Sequence, residues 1–148
     1  MRKFNVLVFS LLILALVGCG TLAPSGTASK SNPAAEKAAI ESAQAWLDLL
    51  DGGSYTKSWE EAAAISKSAV SQAEAEEKLR AVRTPLGKVV SRKIKSRQYA
   101  TSLPGAPDGE YVVIQYDTKF ENKANAVETI TPMLEKEGMW KVSGYYIK

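Results

Sequence analysis

Gly87 separates two kinds of periodicity in this chain, and that change limits the possible folds more than any other feature. Before it, apolar residues recur three and four positions apart; after it, they alternate. Asn32-Pro33 reads as an N-cap with proline at the first helical position, and Ala39, Ala43, Trp46, Leu47 and Leu50 follow at helical spacing as far as Gly52-Gly53. Glu36, Lys37, Glu41, Gln44 and Asp48 take the opposite face. A second helix is expected from about Ser54, with Tyr55, Trp59, Ala62 and Ala63 turned inward. A third opens on a capping box, Ser71-x-x-Glu74, directs Ala75, Leu79 and Val82 to the core and stops at Pro85 and Gly87.

Beyond Gly87 the chain reads as strands. Val90, Ile94 and Gln98 fall on one side of the first, and Val89, Lys93, Lys95, Arg97 and Tyr99 on the other, with Ser91 and Arg92 blurring the alternation. Leu103-Pro104-Gly105-Ala106-Pro107-Asp108-Gly109 is dense in turn residues and reverses the chain. Val112, Ile114, Tyr116, Thr118 and Phe120 form the clearest inward stripe, with Gln115, Asp117 and Lys119 outward. A third strand over Ala126 to Glu135 is interrupted by Pro132, which implies an edge position or a bulge. The last strand places Trp140, Val142, Gly144 and Tyr146 in alternation with Lys141, Ser143, Tyr145 and Lys148. Helices followed by strands predict an α+β domain, about three N-terminal helices packed on a curved antiparallel sheet of about four strands.

The amino end has a different character. Arg2 and Lys3 precede a run from Phe4 to Leu16 that is apolar apart from Asn5 and Ser10, the pattern of a signal peptide. Leu16-Val17-Gly18-Cys19 closes that run and resembles the lipobox of bacterial lipoproteins. The resemblance implies a diacylglyceryl group on the Cys19 thiol, cleavage after Gly18 and acylation of the new amino terminus. Membrane lipid is thus the first expected partner, held through acylated Cys19, with each buried methylene contributing about 0.8 kcal/mol. Gly20, rather than aspartate, at the second mature position points to an outer-membrane address facing the periplasm. The expected organisation is a signal peptide over 1–18, the lipidated cysteine and a flexible tether over 19–32, and a single α+β domain over 33–148. The tether is small and polar and holds the domain on the order of 20 Å from the lipid surface.

Several chemistries are excluded by composition. Cys19 is the only cysteine and the chain has no histidine, so Ser-His-Asp and Cys-His catalysis and histidine-ligated zinc are unavailable. No phosphate loop, dinucleotide fingerprint or calcium loop occurs, and neither a metal nor a cofactor is expected. Glu74, Glu76 and Glu77 suit a solvated first helical turn favoured by the helix dipole. Losing Arg2 and Lys3 with the leader leaves 17 of the 19 basic residues against 16 acids, a nearly neutral mature chain.

The distribution of charge is less even than its sum. Glu36 to Glu77 holds nine acids against Lys37, Lys57 and Lys67, whereas Lys78 to Arg97 holds eight basic residues and no acid. Arg80, Arg83, Lys88, Arg92, Lys93, Lys95 and Arg97 are therefore a candidate basic surface for an anionic envelope component, phospholipid or lipopolysaccharide phosphates, or for carboxylates of an envelope protein. The same residues also suit solvating a strand, guarding a sheet edge or pairing with the acidic helices. Nucleic acid is not an expected partner, because the leader takes the protein out of the cytoplasm.

Trp46, Gly52-Gly53-x-Tyr55, Ser58-Trp59, Pro85-Leu86-Gly87, the run Leu103 to Tyr111, Glu128-Thr129 and Trp140-x-Val142-x-Gly144-Tyr145 together resemble the bacterial family known as domain of unknown function 4019. Its element order is similar to that of the cone-shaped NTF2-like folds. No activity is established for the family, so the resemblance assigns no functional residue. Within such a cone Tyr99, Tyr116 and Glu128 are the possible pocket residues. Two readings follow: a noncatalytic, membrane-anchored module that binds an envelope partner or small ligand, and a histidine-free cone-type enzyme, an isomerase, dehydratase or hydrolase, working with a carboxylate and a tyrosine.

Overall fold

The computed structural model describes residues 31–148; the signal peptide, the lipobox residues Leu16, Val17 and Gly18, Cys19 and most of the tether lie outside the described residues. Helix α1 spans Pro33–Asp51, α2 Tyr55–Glu60, α3 Ala64–Ala69 and α4 Gln72–Arg83, followed by a 3-10 turn at Thr84–Leu86. Strands β1 (Val89–Ala100), β2 (Tyr111–Phe120), β3 (Lys123–Leu134) and β4 (Trp140–Ile147) then form an open antiparallel meander in the order β1-β2-β3-β4. The α+β class and the helix-then-strand order are as expected. No helix among the described residues is long and apolar enough to cross a membrane.

The helix ends follow the predicted chemistry. Asn32 Oδ1 accepts the Ala35 N–H at 3.2 Å, and both halves of the Ser71–Glu74 capping box form. One helix more than expected arises because the second segment breaks at Ala63. That residue is extended (φ −60°, ψ 149°) and donates its N–H to the Val142 carbonyl at 2.8 Å. A tertiary bond to β4 thus replaces an intrahelical one, and α2 and α3 become separate short helices.

Helix α1 lies across the inner face of the sheet. Ala39, Ala43, Trp46, Leu47 and Leu50 meet Val112, Ile114, Tyr116, Ile130 and Val142 in one buried cluster. Burial of each large member contributes about 1.5–3 kcal/mol. The Trp46 indole N–H is not left unpaired in this core; it donates to the Ser58 carbonyl at 2.7 Å.

Among the described residues the sheet has four register shifts, one of them between β2 and β3 at Thr118/Phe120, and the other three determine which side chains of β1 and β4 reach that face. In β1, Val90 and Lys95 are extra residues relative to β2, so the inner set is Val89, Arg92, Ile94, Arg97 and Tyr99. This differs from the simple alternation predicted for the strand. Between β3 and β4 the shift falls at Thr131/Pro132, opposite Ser143. Pro132 therefore sits in an interior strand beside a bulge, one of the two settings its presence implied. Because Ser143 is the extra residue, Val142 and Tyr145 both face inward while Gly144 and Tyr146 face out, again unlike the predicted alternation.

The two edges of the sheet are unlike. Along β4, the Trp140 carbonyl accepts Ser42 Oγ, the Val142 carbonyl accepts the Ala63 N–H, and the Ser143 carbonyl accepts Ser66 Oγ. Along β1 the only ladder among the described residues is to β2, and Ser91 and residues Lys93 to Gln98 are exposed.

Candidate functional site

Charged and hydroxyl side chains from two helices and four strands converge where the C-terminal ends of α1 and α4 meet the inner face of the sheet. Asp51 ends α1, Arg83 ends α4, Arg92 comes from β1, Thr118 from β2, Glu128 from β3 and Tyr145 from β4. Glu128 is fully buried, and Arg83 is only 5% exposed. Glu128 Oε2 accepts Arg92 Nε and Thr118 Oγ1, each at 2.6 Å. Glu128 Oε1 accepts the Tyr145 hydroxyl at 2.6 Å and Arg92 Nη2 at 3.2 Å, with Arg83 Nη1 3.6 Å away. Asp51 completes the group, accepting from Arg92 Nη1 at 2.7 Å and from Arg83 Nη2 at 2.6 Å. Two guanidiniums face two carboxylates, and the cluster is neutral.

The electrostatics follow from this pairing. Burial alone would raise the Asp51 pKa, but the hydrogen bonds from Arg92 and Arg83 outweigh it and hold the carboxyl below its ordinary value. Burial, reinforced by the Glu128 carboxylate that it donates to, pushes the Tyr145 phenol well up against the opposing pull of Arg83. The Arg83 guanidinium also lies over the Phe120 ring, 5.1 Å from its centroid. Tyr145 packs edge-on against Trp46 with centroids 5.3 Å apart.

The predicted pocket residues have different fates. Glu128 is central to the cluster. Tyr116 lies beside it across the β2–β3 ladder, 3% exposed, and its hydroxyl has no hydrogen-bond partner among the described residues. Burial raises its pKa. Tyr99 stands at the far end of β1, where it is oriented by Glu110 and Asn32, and it does not join Glu128. The sequence reading missed Asp51, Thr118 and Tyr145. Thr118 falls in the inward stripe but reads there as core, Asp51 reads as an ordinary helix terminus, and the Ser143 bulge hides the inward phase of Tyr145.

The predicted basic surface divides in two. Arg83 and Arg92 turn inward instead; both guanidiniums are largely buried against Asp51 and Glu128, because an interior carboxylate requires a cationic partner. Arg80 stacks over Tyr55 at 5.4 Å. Lys93, Lys95 and Arg97 remain on β1, Lys95 3.0 Å from Asp117 and Arg97 2.8 Å from Glu36, with both cationic side chains about half exposed. Lys88 lines a recess of about 210 Å³ beside Asp51, Tyr55, Arg83 and Glu121. A wider groove of about 600 Å³ runs between α1 and the start of β4, walled by Ala38, Trp46, Leu49, Met139 and Trp140. No group of three or more acidic or cysteine side chains suited to a metal occurs among the described residues.

No curated protein matches the chain. A family model does, over residues 42–145, a span that includes Asp51, Arg83, Arg92, Thr118, Glu128 and Tyr145. The chain therefore belongs to the family described as protein of unknown function (DUF4019).

Proposed function

We propose that the protein is a noncatalytic binding module of the bacterial envelope, anchored in lipid through acylated Cys19. The observation that carries the noncatalytic part is the closure of the interior cluster. Every oxygen of Glu128 and Asp51 accepts at least one hydrogen bond from a cationic or hydroxyl donor within the protein. A general base needs a lone pair free for substrate and a pKa near the working pH. Asp51, the carboxylate that borders the small recess, is shifted the wrong way for that task. The cone-type enzyme reading has less to work with for the same reason, since the tyrosine nearest Glu128 is committed to it as a donor.

Support for anchoring comes from the lipobox-like sequence at Leu16 to Cys19 and the small polar tether that follows. Cys19→Ala should abolish incorporation of labelled fatty acid and release the domain from the membrane fraction. A variant that stays fully membrane-bound overturns the anchoring reading. For the binding part, in-cell crosslinking and ligand-dependent melting shifts are the measurements, and silence in both removes its support.

A further inference from the structure

We propose that the open edge of β1 is a docking site for an extended acidic segment of a partner protein, which joins the sheet as a fifth strand. The inference deepens the binding-module reading and rests on it. Three observations carry it. First, the edges are treated differently: the β4 edge is covered by donors from Ser42, Ala63 and Ser66, while β1 runs for 12 residues with β2 as its only ladder partner among the described residues. An uncovered edge strand presents alternate N–H and C=O groups ready to pair.

Second, the large apolar side chains that are exposed among the described residues are Val90 at 56%, Ile94 at 43% and Met139 at 53%, and two of these belong to β1. Ile94 is on the inner face between Arg92 and Arg97, whose ion pairs to Asp51 and Glu36 fasten the two ends of α1 to the strand. It is left uncovered between those two fastenings. An added strand would cover it.

Third, the strand is cationic throughout, with Arg92, Lys93, Lys95 and Arg97 and no acid. Arg92 is engaged in the interior, but Lys93 is exposed with no ion pair among the described residues, and the side chains of Lys95 and Arg97 are 48% and 53% exposed. This charge chooses the occupant. A second copy, pairing β1 with β1, would set like charges opposite one another. Lysines and bulges on an edge repel such copies, and the same lysines attract a segment that alternates acidic and apolar residues.

The test uses the full chain in detergent micelles and two short blocked peptides, one alternating glutamate with valine and threonine, the other with lysine in place of glutamate. The glutamate peptide should bind about tenfold more tightly at low salt and slow amide exchange along β1. Lys93→Glu/Lys95→Glu, which leaves the interior untouched, should reverse the preference; a melting curve verifies that it folds. Equal affinity for both peptides overturns the proposal. So does loss of binding in Lys57→Glu/Lys141→Glu, which alters the groove instead, or β1 protection by dimerisation without peptide. A photo-crosslinker placed at Lys93 or at Met139 in intact envelopes separates the two levels of inference. Protein adducts at Met139 alone overturn the edge proposal and leave the binding module standing, whereas no adduct at either removes both.

Discussion

Glu128→Gln is the most informative single substitution, because it changes one charge and almost no volume at the centre of the cluster. The carboxylate accepts four hydrogen bonds within 3.2 Å, two of them from Arg92. An amide supplies one oxygen and one NH2. If the oxygen takes the Oε2 position, it retains Arg92 Nε and Thr118, and the NH2 donates to the Tyr145 hydroxyl, which can turn to accept. Arg92 Nη2 then faces a donor. Two guanidiniums remain in the interior with only Asp51 as a counter-charge, and breaking one partner of such a buried set costs about 3–5 kcal/mol. For a domain of this size that lowers the melting temperature by roughly 12–20 °C. Chemical denaturation should show the loss as a lower midpoint with unchanged slope. Glu128→Leu combined with Arg92→Met should cost less than the sum of the separate changes, because it leaves the Asp51–Arg83 pair balanced, with a coupling energy of about 2 kcal/mol. A loss below about 1 kcal/mol for Glu128→Gln, or strict additivity in the pair, would refute the view that Glu128 is what holds the two arginines inside.

Other outcomes follow from the same geometry. The ionised form of Asp51 is favoured in the folded state, so its contribution is complete above its ordinary pKa of 3.8 and is lost as pH falls through the lower folded value; melting temperature should drop below about pH 4. Tyr145 has the opposite sign: its raised folded pKa keeps its contribution complete below its ordinary value of 10.0, and above that pH it should lower stability by up to about 1.4 kcal/mol per unit, a share that Tyr145→Phe removes while the raised Tyr116 keeps its own. Gly87 has φ +73°, and a Cβ there would lie 2.7 Å from Glu121 Oε2, the atom that accepts the Lys88 N–H. Gly87→Ala should cost about 2–3 kcal/mol, against about 1–2 for Gly53→Ala, which has the same φ but nothing within 4 Å among the described residues; equal losses would show that Glu121 moves aside freely.

Features governed by local chemistry were legible in the sequence. Asn32-Pro33 and Ser71-x-x-Glu74 start helices because their side chains bond backbone groups three residues away, and the stripe from Val112 to Phe120 is buried as its alternation requires. Features that depend on distant partners were not. Ala63 leaves its helix for a carbonyl on β4, and one extra residue at Ser143 inverts the phase of Tyr145. Arg83 and Arg92 sit in a run of basic residues that looks like a solvated face, and only the arrival of Asp51 and Glu128 makes them interior. A hydropathy pattern records whether a side chain carries charge, not whether the fold brings a counter-charge to it.

The edge-covering bonds of β4 also bear on the order in which the domain assembles. The β1–β2–β3 meander pairs neighbours in sequence, whereas the Ser42–Trp140, Ala63–Val142 and Tyr145–Trp46 contacts each close a loop of many tens of residues. Such closures carry the larger entropic cost and form late. Helix α1 also packs on Val112, Ile114 and Ile130 of β2 and β3, so the docking of β4 completes the helical layer and brings Tyr145 to Glu128 in the same event. Interactions made after the rate-limiting barrier act on the escape rate rather than on the approach. A cluster that closes after that barrier is a latch on unfolding, and Glu128→Gln should then raise the unfolding rate while leaving the folding rate nearly unchanged; an equal slowing of folding would place the cluster in the barrier itself.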